Sequence, residues 1–114
     1  MENDLSERLF VFAVGTIKFC RSLNKSKEND VILYQLIKSV TSSPANYEES
    51  QAASSRADFR NKVSIALKEM RETNFWLRTL KEIGNNSKEL DILIVESIEL
   101  KKILGSICAK VSNN

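Results

Sequence analysis

Apolar residues in this chain recur at steps of three and four, and that stepping is sustained four times with little to interrupt it. Leu9, Phe12, Ala13, Ile17, Cys20 and Leu23 mark the first stretch, the spacing of one buried face of an α-helix. Leu33, Leu36, Ile37 and Val40 mark the second, and the phase runs on through Pro44, Tyr47 and Gln51. Phe59, Val63, Ala66, Met70, Leu77 and Leu80 form the third stripe. The fourth segment is richer in aliphatics: Leu90, Leu93, Ile94, Ile98, Leu100, Leu104, Ile107 and Val111. Its apolar positions cover more than one stripe, so it predicts a contact beyond its neighbours in the same chain. With three glycines and one proline in 114 residues, a β-sandwich is excluded, since it would need a turn signal every 8–12 residues or so.

The periodicity predicts helices over about 5–23, 28–53, 56–83 and 87–111. Short polar links between long helices make sequential neighbours antiparallel, so the expected fold is all-α: a single domain over 1–114, an antiparallel up-down-up-down four-helix bundle. At 1.5 Å per residue the longer rods reach roughly 30–40 Å. Three pairs read as helix starts, Asp4 with Glu7, Ser55 with Asp58 and Asn86 with Glu89, because each side chain can satisfy an orphan backbone N–H. Gly84 reads as the stop of the third helix.

Residues 39–59, "SVTSSPANYEESQAASSRADF", hold the only proline yet sit between two strongly periodic segments. Proline inside a helix removes one hydrogen bond and crowds the carbonyl four residues back, here that of Val40. A break at 44 would turn 45–54 into a polar loop. The unbroken phase from Val40 through Pro44 to Tyr47, and the hydroxyls of Thr41, Ser42 and Ser43 beside it, favour a kinked but continuous helix. Ser42, Ser43, Ala45, Ala52 and Ala53 are small enough to let neighbouring backbones approach.

Composition narrows the function classes. Hydrophobic residues make up 42% and charged residues 28%, as in a folded soluble domain. No run approaches the roughly 18 apolar residues that span a bilayer. "MENDLSERLF" lacks a basic leader, so a cytoplasmic protein without membrane association is expected, with Cys20 and Cys108 as thiols. They fall at opposite ends of the predicted bundle, too far for a disulfide, and read as small core hydrophobes. Histidine is absent, which excludes Ser-His-Asp, Cys-His and Glu-x-x-His sites. No phosphate-binding glycine loop or Cys-x-x-Cys is present, so no cofactor and no enzyme activity are expected. Glu48 and Glu49 with Asn46 form the one acidic metal candidate, but adjacent carboxylates on a helix point about 100° apart and suit capping or interhelical contacts better.

The net charge is +2, slightly polarised: residues 1–55 carry 6 basic and 7 acidic side chains, residues 56–114 carry 11 and 8. On the third helix, Arg56, Arg60, Arg71 and Arg78 fall within a band of roughly 60°. Asp58, Glu69, Glu72 and Trp76 form a second band more than about 90° away. Three readings fit: a solvated face with local pairs such as Asp58/Lys62 and Lys68/Glu72; an arginine band meeting carboxylates of an adjacent subunit; or arginines holding phosphates with little sequence preference. Trp76 reads as a packing or interface anchor.

The stretch "SSPANYEESQAASSRADFRNKVSIALKEMRETNFWL" resembles the bacterial four-helix bundle proteins also called ribosomal-RNA intervening-sequence proteins. Their pattern Ser-Ile-(Gly/Pro)-Ala-Asn-x-x-Glu is matched by Ser42, Ser43, Pro44, Ala45, Asn46 and Glu49. The Phe-led helix that follows is matched by Phe59, Ala66, Leu67 and Glu69, and a Glu-x-x-x-Trp run by Glu72 and Trp76. Ser43 stands where many members carry isoleucine and Ser50 where many carry glycine, so altered packing is expected at the bend. The resemblance covers about residues 8–105. It implies a homopentameric ring, with Pro44, Asn46, Glu49, Glu69, Glu72 and Trp76 as structural or subunit-interface positions. A related branch serves diversity-generating retroelements, where nucleic acid and a reverse transcriptase are partners. The near-neutral charge of this chain does not by itself place it there. The combined expectation is a non-enzymatic homo-oligomeric scaffold with nucleic acid as ligand; an adaptor that docks a protein without touching nucleic acid is the alternative.

Overall fold

A computed structural model describes residues 4–112. Four helices follow one another: α1 (Asp4–Arg21), α2 (Lys27–Ser50), α3 (Arg56–Glu82) and α4 (Lys88–Ser112). All regular structure among the described residues is helical, and the rods lie side by side in an antiparallel four-helix bundle of 45 × 26 × 20 Å. Cross-helix bonds fix the directions. Ser39 meets Thr73 and Glu49 meets Lys62 between α2 and α3; Asn74 meets Ser97 and Lys81 meets Asp91 between α3 and α4. In each set residue numbers rise on one helix as they fall on the other.

The ends are set by local chemistry. Ser26 caps α2 by accepting from the Asn29 N–H at 3.0 Å. Ser55 caps α3 through the Asp58 N–H at 3.0 Å, and Asp58 reaches back to the Ser54 N–H at 3.2 Å, the reciprocal arrangement expected of that pair, one residue displaced. At the start of α4 the cap is Ser87, which accepts from the Leu90 N–H at 3.1 Å; the expected Asn86/Glu89 pair is shifted by one residue. α1 is described from Asp4 onward, so the expected Asp4/Glu7 start falls at the edge of the described residues. Gly84 has φ 114°, the Asn85 N–H bonds the Leu80 carbonyl, and the Gly84 N–H bonds that of Lys81. Only this left-handed residue lets both terminal carbonyls be met at once.

α2 passes through Pro44 without a break and stops at Ser50, three residues before the expected 53. Residues 51–53 continue as turns in which each N–H reaches back three residues, to Glu48, Glu49 and Ser50. The hydroxyls beside the proline do not go to Val40. Thr41 Oγ1 donates to the Ile37 carbonyl at 2.8 Å, Ser43 Oγ crosses to the Ala66 carbonyl of α3 at 2.7 Å, and Asn46 Nδ2 bonds the Ser42 carbonyl at 2.9 Å.

The core is built from Leu9, Leu36, Val40, Val63, Met70, Leu77, Leu80, Leu90, Leu100 and Leu104, all 0% exposed. Each such aliphatic contributes about 1.5–3 kcal/mol through its removal from water. Several expected stripe positions are not interior: Ile37 is 37% exposed and Gln51 is exposed. Of the small residues, Ala45 and Ala52 face solvent, whereas Ser43 is buried against α3. Buried polar residues occupy core positions instead. Ser39 and Thr73 share a hydroxyl–hydroxyl bond at 2.8 Å, and no buried side-chain polar atom among the described residues lacks a partner. Cys20 is buried and Cys108 half-buried, both free thiols; burial pushes the Cys20 thiol up to about 11.

Candidate functional site

Arg56, Arg60, Arg71 and Arg78 are all exposed along one side of α3. Among the described residues none of the four pairs with a carboxylate: the ion pairs join Arg8 to Glu96, Lys62 to Glu49 and Lys81 to Asp91. Arg78 is held in place by a chain of bonds running into the core. Its Nε donates to Asn74 Oδ1 at 2.8 Å, Asn74 Nδ2 donates to Ser97 Oγ at 2.9 Å, and Ser97 Oγ donates to the Ile94 carbonyl at 2.7 Å. A guanidinium can only donate, so the amide must turn its oxygen to Arg78 and its nitrogen to Ser97. The remaining guanidinium donors have no partner among the described residues.

The same bonds set the register between α3 and α4, and that register enlarges the cationic face. With Asn74 level with Ser97 and Lys81 level with Asp91, Arg71 stands level with Lys101. At about 100° per residue, Lys101 and Lys102 lie on the flank of α4 that carries Ile94 and Asp91 toward α3. Arg60, Arg71, Arg78, Lys101 and Lys102 therefore follow one groove, with Arg56 on the same line past the level at which α4 ends. Its lower end is a cleft of about 400 Å³ lined by Arg78, Lys81, Glu82, Asp91, Ile94 and Val95. Asp91 there is already taken by Lys81 at 2.5 Å. The two lysines escape a reading of the sequence because nothing within α4 singles them out; only the register joins them to the arginines.

The second set of residues does not converge on one site. Pro44 is buried against the core of the bundle, and Asn46 is spent on Ser42 of its own helix. Glu49 crosses to Lys62 at 3.2 Å, tying α2 to α3, where Asp58 was the expected partner of that lysine. Glu69 is half-buried and its carbonyl accepts from Thr73. Glu72 accepts from the Trp76 indole N–H at 3.2 Å rather than pairing with Lys68. Trp76 is half-buried and meets Phe75 edge to face, with ring centroids 4.9 Å apart. Within the chain Glu49 ties α2 to α3, Asn46 braces α2, and Glu72 with Trp76 braces α3.

On the opposite side, α1 and α4 leave a groove of about 720 Å³ lined by Val11, Phe12, Gly15, Ile92, Leu93 and Val95. Arg8 crosses it to Glu96 with two bonds of 2.7 and 2.8 Å; Glu96 first, with Glu99, raises the Arg8 pKa. Val11, Ile92 and Val95 are 58–61% exposed, which locates the surplus apolar surface anticipated for the fourth helix. No described helix is long and apolar enough to cross a membrane.

Comparison with known proteins agrees with this architecture. A crystal structure of a protein with unknown function from the S23 ribosomal protein family, from Bacteroides thetaiotaomicron VPI-5482, superposes with a TM-score of 0.82 at 34% identity, covering 91% of this chain and 97% of that one. Among curated proteins nothing matches. The profile described as 23S rRNA-intervening sequence protein matches residues 1–106. A four-helix bundle matched over nearly its whole length by that profile, the chain belongs to the 23S rRNA-intervening sequence protein family.

Proposed function

We propose that this protein is a non-enzymatic, self-assembling helical scaffold that holds nucleic-acid backbone along the α3/α4 groove. The observation that carries the ligand is the strip of Arg56, Arg60, Arg71 and Arg78, exposed and without carboxylate partners among the described residues. Unpaired guanidiniums spaced along a rod suit a polyanion, because each can fork onto a phosphate while reading no base. The family's name gives RNA as the first ligand to try. The assembly part rests on the apolar α1/α4 groove, which a soluble monomer would leave wet, and agrees with the five-membered ring that the resemblance implies.

The test is fluorescence anisotropy of labelled RNA and duplex DNA across a salt series. Binding should weaken linearly in log–log form, with a duplex slope no steeper than about −5 if all six cations are used. Arg71→Gln and Arg78→Gln should each reduce that slope by about 1 and weaken all sequences alike. No binding at low salt, or binding indifferent to salt, would refute the phosphate reading. In that case the adaptor reading gains, since the same exposed apolar surfaces offer a protein partner its purchase; a pull-down that survives nuclease treatment would support it.

A further inference from the structure

One aromatic ring lies among the arginines of α3. Phe75 is 48% exposed, the one large apolar side chain left in water along that helix among the described residues. Arg71 stands four residues before it and Arg78 three residues after, the separations at which side chains on one rod are neighbours. At about 100° per residue, Phe75 lies about 40° from Arg71 and about 60° from Arg78. Asn74 and Lys81, whose bonds go to α4, are about 100° and 120° away from it. The ring therefore borders the cationic strip on its solvent side. Resting on the phosphate reading above, we infer that the strip takes nucleic acid as a single strand, with an unpaired base stacked on Phe75 between phosphates held by Arg71 and Arg78.

The ring is braced for such a role. Trp76 meets it edge to face, with centroids 4.9 Å apart and planes at 76°. The indole is itself tied down, its N–H donating to Glu72 at 3.2 Å. In either sense of an edge-to-face pair, at least one face of the phenyl ring stays free of the indole. A side chain held in this way loses little freedom when a base settles on it, so less of the stacking energy is spent on ordering.

The chemistry selects the form of the polyanion. Inside a duplex each base is stacked on its neighbours, and its faces are closed to a side chain. A bare phenyl ring between arginines would then lie against charged phosphate and contribute nothing. A splayed base offers a π-face of its own, and stacking on an aromatic ring beside phosphate-binding cations is how single strands are held with little sequence preference. Glu82 is exposed one turn past Arg78. It repels phosphate and so closes that end of the track.

The experiment compares three labelled probes by anisotropy across a salt series: a mixed-sequence single strand, an abasic strand of the same length, and a duplex. The abasic strand carries the charges without the rings, so wild-type protein should bind it more weakly than the intact strand. Phe75 is exposed, so Phe75→Ala should fold, as circular dichroism will check. It should weaken the intact strand by about fivefold to 150-fold, with an unchanged salt slope because a phenyl ring releases no counterions. Arg71→Gln should instead lower that slope by about 0.7. Affinity of Phe75→Ala for the abasic strand and the duplex should equal that of wild type, and Phe75→Tyr should keep wild-type affinity for all three. Trp76, the single tryptophan of the chain, reports from beside the site: its emission should change with the intact strand and not with the abasic one. Equal affinity for the intact and abasic strands, or an intact-strand affinity that survives Phe75→Ala, would overturn the stacking inference alone. Failure of wild-type protein to bind any of the three probes at low salt would overturn the phosphate reading as well.

Discussion

Replacing Ser43 by isoleucine, the residue that the family resemblance associates with this position, should destabilise the bundle. Ser43 is 0% exposed, and its hydroxyl lies 2.7 Å from the carbonyl of Ala66, itself 0% exposed. Two backbones therefore approach each other across a serine and an alanine, with no room for a longer side chain. Isoleucine exchanges one oxygen for three carbons. Overpacking of this kind costs about 1–3 kcal/mol, and the lost hydrogen bond adds about 1 kcal/mol. Ser43→Ala isolates the second contribution. The Ala66 carbonyl keeps its place within α3, so no orphan acceptor remains, and alanine should cost only about 0.5–1.5 kcal/mol. Each kcal/mol corresponds to a melting shift of about 3–6 °C in a domain of this size. Urea titration followed by far-UV circular dichroism gives the energies directly, provided chain concentration is fixed, because self-association makes midpoints concentration-dependent. The reasoning fails if the isoleucine variant is as stable as wild type, or if alanine costs more than isoleucine. Either result would mean that α2 and α3 separate without resistance at this point.

Cys20 should resist an aromatic disulfide reagent at pH 8 in the native protein while Cys108 reacts, since burial pushes the Cys20 thiol up to about 11 and Cys108 is half-buried. The neutral thiol is favoured by the fold, so its contribution is intact below about pH 9 and is lost as pH rises toward 11, at most about 3 kcal/mol; stability in Cys20→Ala should show less of this alkaline loss. Gly15→Ala should raise stability by about 0.5–1 kcal/mol, because the added Cβ meets open space; a loss would show that the bare backbone at this point is needed. Ser55→Ala should cost about 1 kcal/mol by removing the cap on the Asp58 N–H, with Ser55→Asp restoring most of it in the same urea assay.

The helices were legible because each residue turns the chain by a fixed angle, so an apolar stripe survives even the proline at 44. Their ends were legible where one side chain had no rival, as at Gly84 and at Ser55 with Asp58. At the start of α4 two adjacent residues were competent to cap, and a one-residue choice between Asn86 and Ser87 depends on how the link from Gly84 packs. The arginine band on α3 was readable for the same angular reason as the core stripe. What covers or extends such a band depends on other helices, and the period within one helix is silent about them.

That missing information resides in the polar residues that a search for apolar stripes passes over. Ser39, Thr73, Asn74 and Ser97 are buried at positions where leucine or valine would satisfy the pattern. Apolar side chains accept many sliding arrangements of two rods at similar energy, whereas a buried amide or hydroxyl must find its partner or cost about 1–3 kcal/mol. The Ser39–Thr73 bond therefore sets α2 against α3, and Asn74 with Ser97 sets α3 against α4. Once α4 is locked in height, Lys101 and Lys102 come level with the arginines and Arg78 is fixed by the same amide that fixes the register. Changing Asn74 to leucine would keep the stripe and free the rods to slide, so the cationic strip should lose its alignment, and with it polyanion affinity, before the bundle loses its helices.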